Sequence, residues 1–239
     1  MLLLNLLQHP NILSSKATFI YKQDLWLVFE IMEGGSMDKI IQAKYQNGIK
    51  DQTLIATILK ETLQGIKYLH QNNQIHRDIK AANILIGADG SVKISDFGVA
   101  TQLKGRKKRN TFIGSPCWMA PEVLEETNGY DSKADIWSLG ITALELAEGR
   151  PPNADLCTMK LLLKTLNEEP PKLTDEPYWD EHFHEFIAAC LVKDPAERLS
   201  AEELLREFKV FFSKAKGKDY IKEKLLKGID IIQLKVKFL

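Results

Sequence analysis

The sequence predicts an α+β chain in which helix dominates. Three observations carry that reading. One run of β-branched and aromatic residues, "LWLVFEIM" (25–32), stands near the start. One pair of strand-like segments, "NILIG" and "VKISD", flanks the turn "ADGS". From residue 134 onward the apolar positions recur almost entirely at helical spacing. A little strand followed by mostly helix is an α+β pattern, not a series of alternating βαβ units.

Taken in order, residues 1–8 read as the last turns of a helix stopped before Pro10. The 25–32 run has no polar alternation, which predicts a strand buried on both faces. Gly34, Gly35 and Ser36 end it. Leu54, Ile55, Ile58, Leu59, Leu63, Ile66 and Leu69 recur with the helical period, so a helix is expected from Asp51 to about His70. "ADGS" joins two short strands into a hairpin. Residues 99–118 are polar, basic and aperiodic, and predict a long surface loop. "ADIWSLGITALELAEG" (134–149) is apolar on most faces, which predicts a buried helix closed by Gly149 and Pro151. Further amphipathic helices are expected at 156–168, 181–193 and 200–207. No structure is predicted for the last 20 residues.

Composition narrows the function classes. The chain is 44% hydrophobic and 27% charged, enough apolar material for a sizeable core. Its formal net charge is zero, so no global field pulls it toward nucleic acid or an anionic membrane. The apolar start "MLLLNLL" is too short for a span and lacks a signal-peptide pattern. Cys117, Cys157 and Cys190 are scattered, which argues against a disulfide framework or zinc site and suits a reducing, cytoplasmic compartment. His182 and His184 lack metal-ligand spacing and read as surface residues. Trp118, Trp137 and Trp179 read as core.

The chemistry concentrates in "IHRDIKAANILIGADGSVKISDFG" (75–98). Asp78, Lys80 and Asn83 precede the first strand of the hairpin, and Asp96 follows the second. A hairpin brings its two ends together, so Asp96 converges with Asp78 and Asn83. Carboxylate and amide oxygens suit Mg²⁺, which usually also takes substrate phosphates. Asp78 is then free to orient a hydroxyl and accept its proton. Lys80 supplies positive charge for a phosphoryl group in transfer.

These residues carry a resemblance. His76-Arg77-Asp78-Ile79-Lys80-Ala81-Ala82-Asn83, Asp96-Phe97-Gly98 and Ala120-Pro121-Glu122 stand in the order of the protein-kinase signature set. The chain therefore resembles eukaryotic protein kinases. "GSPCWMAPEV", "GYDSKADIWSLGITALELAEG" and "FFSKAKGKDYIKEKLL" resemble the sterile-twenty-like group, and within it the germinal-centre SPAK/OSR/Fray branch. The likeness runs over roughly residues 9–226. It implies a kinase fold with a helical large lobe (33–214), small-lobe remnant and hinge (1–32) and an extension (215–239). It implies transfer from ATP, with Mg²⁺, to serine or threonine hydroxyls of protein substrates, Lys80 being the serine/threonine mark.

The resemblance also assigns roles. Asp78 is the catalytic base, Lys80 assists the transferred phosphoryl group, and Asn83, counted among the catalytic residues, binds Mg²⁺ together with Asp96. Phe29 is the gatekeeper; the backbone of Glu30 and Met32, with Ser36 and Leu85, faces the nucleotide. Asp135 braces the catalytic loop, and Glu122 pairs with Arg198. Thr111 is the site for an upstream activating kinase, its phosphate pairing with Arg77. Ser115 lies on the substrate-hydroxyl side. The basic run 104–109 belongs to the activation loop.

Other kinase parts have no match. No glycine precedes Gly34, no glutamate precedes Glu30, and no G-x-G occurs. If "HPNIL" is the loop after the regulatory helix, Met1 starts inside that helix, and the expectation is an N-terminal truncation. The 25–32 strand then becomes an exposed apolar edge, and the polypeptide is expected to be poorly soluble or partner-bound. Two function classes stay open: an active serine/threonine kinase, and a catalytically weak kinase-fold partner or scaffold.

Overall fold

The computed structural model describes residues 8–96, 101 and 102, 115–125, 131–174 and 176–228. Thr111, Phe97, Gly98, the basic run 104–109 and the residues on either end lie outside the described residues.

Two strands come first. β1 (Ser15–Tyr21) and β2 (Asp24–Phe29) pair antiparallel from Tyr21↔Asp24 to Ser15↔Phe29. Lys22, at φ 56°, takes the left-handed conformation in the connecting turn. The expected buried strand is thus a strand, but not a buried one. Trp26 is 50% exposed, and Leu25, Leu27 and Val28 are exposed with it. An uninterrupted apolar run signals cover on both faces, and among the described residues the main neighbour of β2 is β1.

A small sheet follows, in the order β3 (Gly35–Ser36), β5 (Ile84–Ile86), β6 (Val92–Ile94). The β5–β6 hairpin has the expected turn, with Gly90 at φ 84°. "HPNIL" is fastened to β6: Ile94 N–H donates to Asn11 O (2.9 Å) and Leu13 N–H to Ile94 O (2.9 Å). Between β3 and β5 run α1 (Met37–Lys44), absent from the sequence reading, and α2 (Gln52–Gln71). Asp51 caps α2 by accepting from Leu54 N–H at 3.1 Å. β4 (Gln74–Ile75) pairs with β7 (Thr101–Gln102), so part of the expected 99–118 loop is strand.

The remaining elements are helical. A 3₁₀ turn (Pro116–Trp118) leads to α3 (Pro121–Glu125), then α4 (Lys133–Glu148), α5 (Thr158–Asn167), α6 (Glu181–Cys190) and α7 (Ala201–Glu207). α8 (Lys209–Ser213), α9 (Lys218–Ile221) and a π-helical turn (Lys222–Leu226) extend the helical part and bury Phe211, Ile221 and Leu225 in the main core.

α4 is the centre of that core. Every residue from Ala134 to Ala147 is buried. Gly149, at φ 87°, ends it with a left-handed cap. A Cβ there would sit 2.4 Å from Gln46 O, so glycine also permits the loop after α1 to pack against the helix end.

Candidate active site

The site is built where α4 meets two loops. The first loop, residues 76–83, follows β4. His76 and Arg77 donate their backbone N–H groups to Asp135 of α4, to Oδ2 at 2.9 Å and Oδ1 at 2.8 Å. His70 Nε2 lies 2.8 Å from the same Oδ2. Burial pushes the Asp135 carboxyl up, but the hydrogen bonds from His70 and the Arg77 backbone N–H work against it. The net effect holds Asp135 below the ordinary carboxylate range. Arg77 adopts φ 74°, a conformation that side chains disfavour, and Asp135 holds its N–H there.

His76 is fully buried, and burial lowers its pKa. Its Nε2 is 2.9 Å from Ser95 O, an acceptor, so Nε2 carries the proton. Nδ1 then accepts from Asp78 N–H at 3.3 Å. The ring joins the loop bearing Asp78 to the strand end bearing Asp96.

Asp78, Lys80 and Ser115 form a tight triangle. Lys80 Nζ is 2.7 Å from Asp78 Oδ2 and donates to Ser115 Oγ at 2.6 Å. Ser115 Oγ donates to Asp78 Oδ1 at 2.9 Å. Burial raises the Asp78 pKa, but hydrogen bonds from Lys80 and Ser115 outweigh it and lower the net value. The carboxylate is therefore ionised near neutral pH.

Asn83 donates Nδ2–H to Asp78 O (2.7 Å) and to Asp78 Oδ2 (3.0 Å). Both amide hydrogens face Asp78, which turns Oδ1 to the other side. Ser95 N–H donates to Asn83 O at 2.9 Å, which ties Asn83 to the strand end that Asp96 follows. Asp96 is exposed, at φ 62°. An amide oxygen and a carboxylate are donor types that fit a divalent cation that keeps other oxygen ligands, as Mg²⁺ does. Among the described residues no cluster of His, Cys, Asp and Glu suggests another metal centre.

Along β5, Ile84 and Ile86 are buried while Leu85 between them is half-exposed. Ser36, paired opposite Leu85, directs its hydroxyl to Asp38. The Glu30 side chain pairs with Lys93 Nζ at 2.9 Å. Met32 O accepts from Gly35 N–H at 2.9 Å in a turn.

The second loop is clamped from below. All five N–H donors of Arg198 are used: two to Glu122 (2.7 and 3.0 Å) and the others to the carbonyls of Lys133, Val192 and Lys193. Its guanidinium lies 5.3 Å from the Trp137 ring centroid. Burial pushes the Cys117 thiol up, so it is not an activated nucleophile.

Glu145, missed in the sequence reading, sits in the same cluster, accepting from Ala81 N–H and Trp118 Nε1–H at 3.0 Å each. The signal was a row of polar residues on a buried helix: Asp135, Ser138, Thr142 and Glu145 recur every three or four residues, on one face.

The sequence profile of the protein kinase domain matches residues 1–208. The chain belongs to the protein kinase family. It is 44% identical to Germinal center kinase 3 of Caenorhabditis elegans over 243 residues, covering 92% of this chain and 40% of that protein. It is 44% identical over 227 residues to the serine/threonine-protein kinase fray2 of Dictyostelium discoideum, covering 93% of this chain and 22% of the relative. Against the serine/threonine-protein kinase dst1 of the same organism it is 48% identical over 198 residues, with coverage of 82% and 26%. The sterile-twenty-like, germinal-centre and Fray-type resemblance agrees with these relatives. The chain spans less than half the length of each.

Proposed function

We propose that the chain transfers the γ-phosphoryl group of ATP to serine or threonine hydroxyls of proteins. One observation carries this reading. Ser115 Oγ donates to the Asp78 carboxylate and accepts from Lys80. A hydroxyl between a carboxylate and an ammonium is the arrangement an incoming acceptor needs. Asp78, ionised and held by Asn83, orients that hydroxyl and takes its proton. Lys80 meets the charge of the phosphoryl group. Asn83 and Asp96 would hold Mg²⁺, which when bound neutralises phosphate charge. The backbone of Glu30 and Met32, with Leu85 and Ser36, would receive the nucleotide.

On this reading residues 33–214 are the catalytic lobe, 1–32 its small-lobe strands and hinge, and 215–239 an extension. An upstream kinase acting on Thr111, with Arg77 receiving the phosphate, would regulate it. No helix among the described residues is long and apolar enough to cross a membrane; we place the protein in the cytoplasm, without nucleic-acid or membrane partners.

The test compares the chain with Asp96→Ala in Mg²⁺ and radiolabelled ATP, with peptides offering serine, threonine or tyrosine. Label on serine or threonine that is lost in the variant is the expected result. Equal incorporation by both proteins would overturn it. A second reading, a kinase-fold binding partner with weak catalysis, has the exposed β1–β2 hairpin in its favour. Absence of turnover together with stable capture of a partner through that hairpin would support it.

A further inference from the structure

A cavity of about 170 Å³ lies between the 3₁₀ turn Pro116–Trp118, α4 and α5. Trp137 and Ile141 of α4 and Leu161 of α5 give it deeply buried surface. Cys117 enters from the 3₁₀ turn, and Pro170 and Pro171 from the segment after α5. The cavity is separate from the site described above. None of Asp78, Lys80, Asn83, Asp96 and Ser115 lines it.

One group in its wall is unsatisfied. The Trp137 side chain is buried, and its indole N–H has no hydrogen-bond partner among the described residues. The ring lies against the Arg198 guanidinium, 5.3 Å from the ring centroid, which holds it in place. An indole nitrogen is a donor only, and a buried donor left unpaired costs its full desolvation. Such a donor in the lining of a cavity calls for an acceptor inside that cavity.

The rest of the lining narrows what that acceptor belongs to. A buried water needs about two to four polar partners, and few are on offer. The two prolines have no N–H, and a thiol such as Cys117 is a weak partner. Thr165 spends its hydroxyl proton on Leu161 O at 3.0 Å. Lys164, at the more exposed part of the lining, is paired with Glu168 at 3.5 Å. A charged occupant fits no better, because the only deeply buried polar group of the lining is a neutral donor. The volume suits a small ring: an apolar cavity of about 150 Å³ takes up benzene.

We propose that this cavity binds a small, flat, uncharged molecule of one or two rings, whose ring nitrogen or carbonyl oxygen accepts from the Trp137 indole N–H. The binding does not depend on the kinase reading.

The experiment follows the assigned indole N–H resonances of the four tryptophans in ¹⁵N-labelled full chain near neutral pH. The added compounds are two pairs, pyridine with benzene and quinoline with naphthalene. Each pair matches in shape and differs in one ring nitrogen. Pyridine or quinoline should move the Trp137 resonance and bind on the order of tenfold more tightly than its carbon counterpart, as expected when a buried unpaired donor gains its acceptor. The bound compound should also slow alkylation of Cys117 by N-ethylmaleimide, read by mass spectrometry, and leave the exposed Cys157 unaffected. Trp137→Phe keeps an aromatic ring without the donor and should erase the preference for the nitrogen ring. If that variant fails to fold, the paired compounds on the wild type decide. A Trp137 resonance unmoved by all four compounds, with Cys117 unprotected, overturns the site. Shifts confined to Trp26 would put the compounds on the exposed hairpin and overturn it equally. Equal binding within each pair, with Cys117 protected, overturns the hydrogen bond and with it the class of ligand.

Discussion

The β1–β2 hairpin and helix α4 are built from similarly apolar sequence and end in opposite environments. Along α4, Ala134–Ala147 is buried without a break. Along the hairpin, Phe19 is 47% and Ile20 70% exposed. Apolarity alone does not make a core; layers on every side do. α4 is packed by α2, α6 and two loops, whereas each hairpin strand has mainly the other. A two-stranded ribbon by itself is marginal in water. The Phe19–Trp26 stack, with ring centroids 6.3 Å apart, joins the strands to each other but covers little of their outer faces.

Native-state hydrogen exchange should separate the two regions most widely. Amides of α4 should exchange only by global unfolding, and those of 16–28 by local opening. The gap in opening free energy should be about 5 kcal/mol or more. Equal protection would mean the hairpin is covered. Next, Arg198→Ala should destabilise the helical part by about 3–5 kcal/mol, because Glu122 is left without its buried partner. Chemical denaturation followed by far-ultraviolet circular dichroism measures it, and a loss under 1 kcal/mol would show that the pair does not anchor α3.

Glu145 gives a pH dependence of similar kind. Its folded-state carboxyl, at about 7, lies above the ordinary 4.5, so folding favours the protonated form. That contribution is complete below 4.5 and lost as pH rises through 7, a fall of about 3 kcal/mol. Glu145→Gln should flatten the fall in denaturation curves from pH 5 to 8.5; an unchanged slope would assign it to other groups. The smallest effect is expected at the hairpin. Ile20→Thr with Trp26→Thr should change stability by about 1 kcal/mol or less yet reduce self-association, measured by light scattering. Undiminished association would put the sticky surface elsewhere.

What could be read from the sequence followed the range of the interactions. Asp78, Asn83 and Asp96 were legible because one hairpin brings them together and they lie within 20 positions. Glu122 and Arg198 were found through the family pattern, since nothing local relates residues 76 positions apart. Glu145 was hidden for the same reason: its donors, Ala81 and Trp118, are 64 and 27 positions away. α1 was missed because it is eight residues long and starts right after the break signalled by Gly34, Gly35 and Ser36. The buried reading of 25–32 failed because an apolar run states what a strand needs, while its neighbours decide what it receives.

The His76 ring has a mechanical consequence. It spans Ser95 O and Asp78 N–H with two nitrogens whose separation is fixed by covalent geometry. A rigid spacer resists compression and stretching alike, unlike a flexible side chain. The strand end that leads to Asp96 and the loop with Asp78 must therefore travel as one piece in any local motion. Whatever else moves, Asp78 and the strand end that leads to Asp96 keep their spacing.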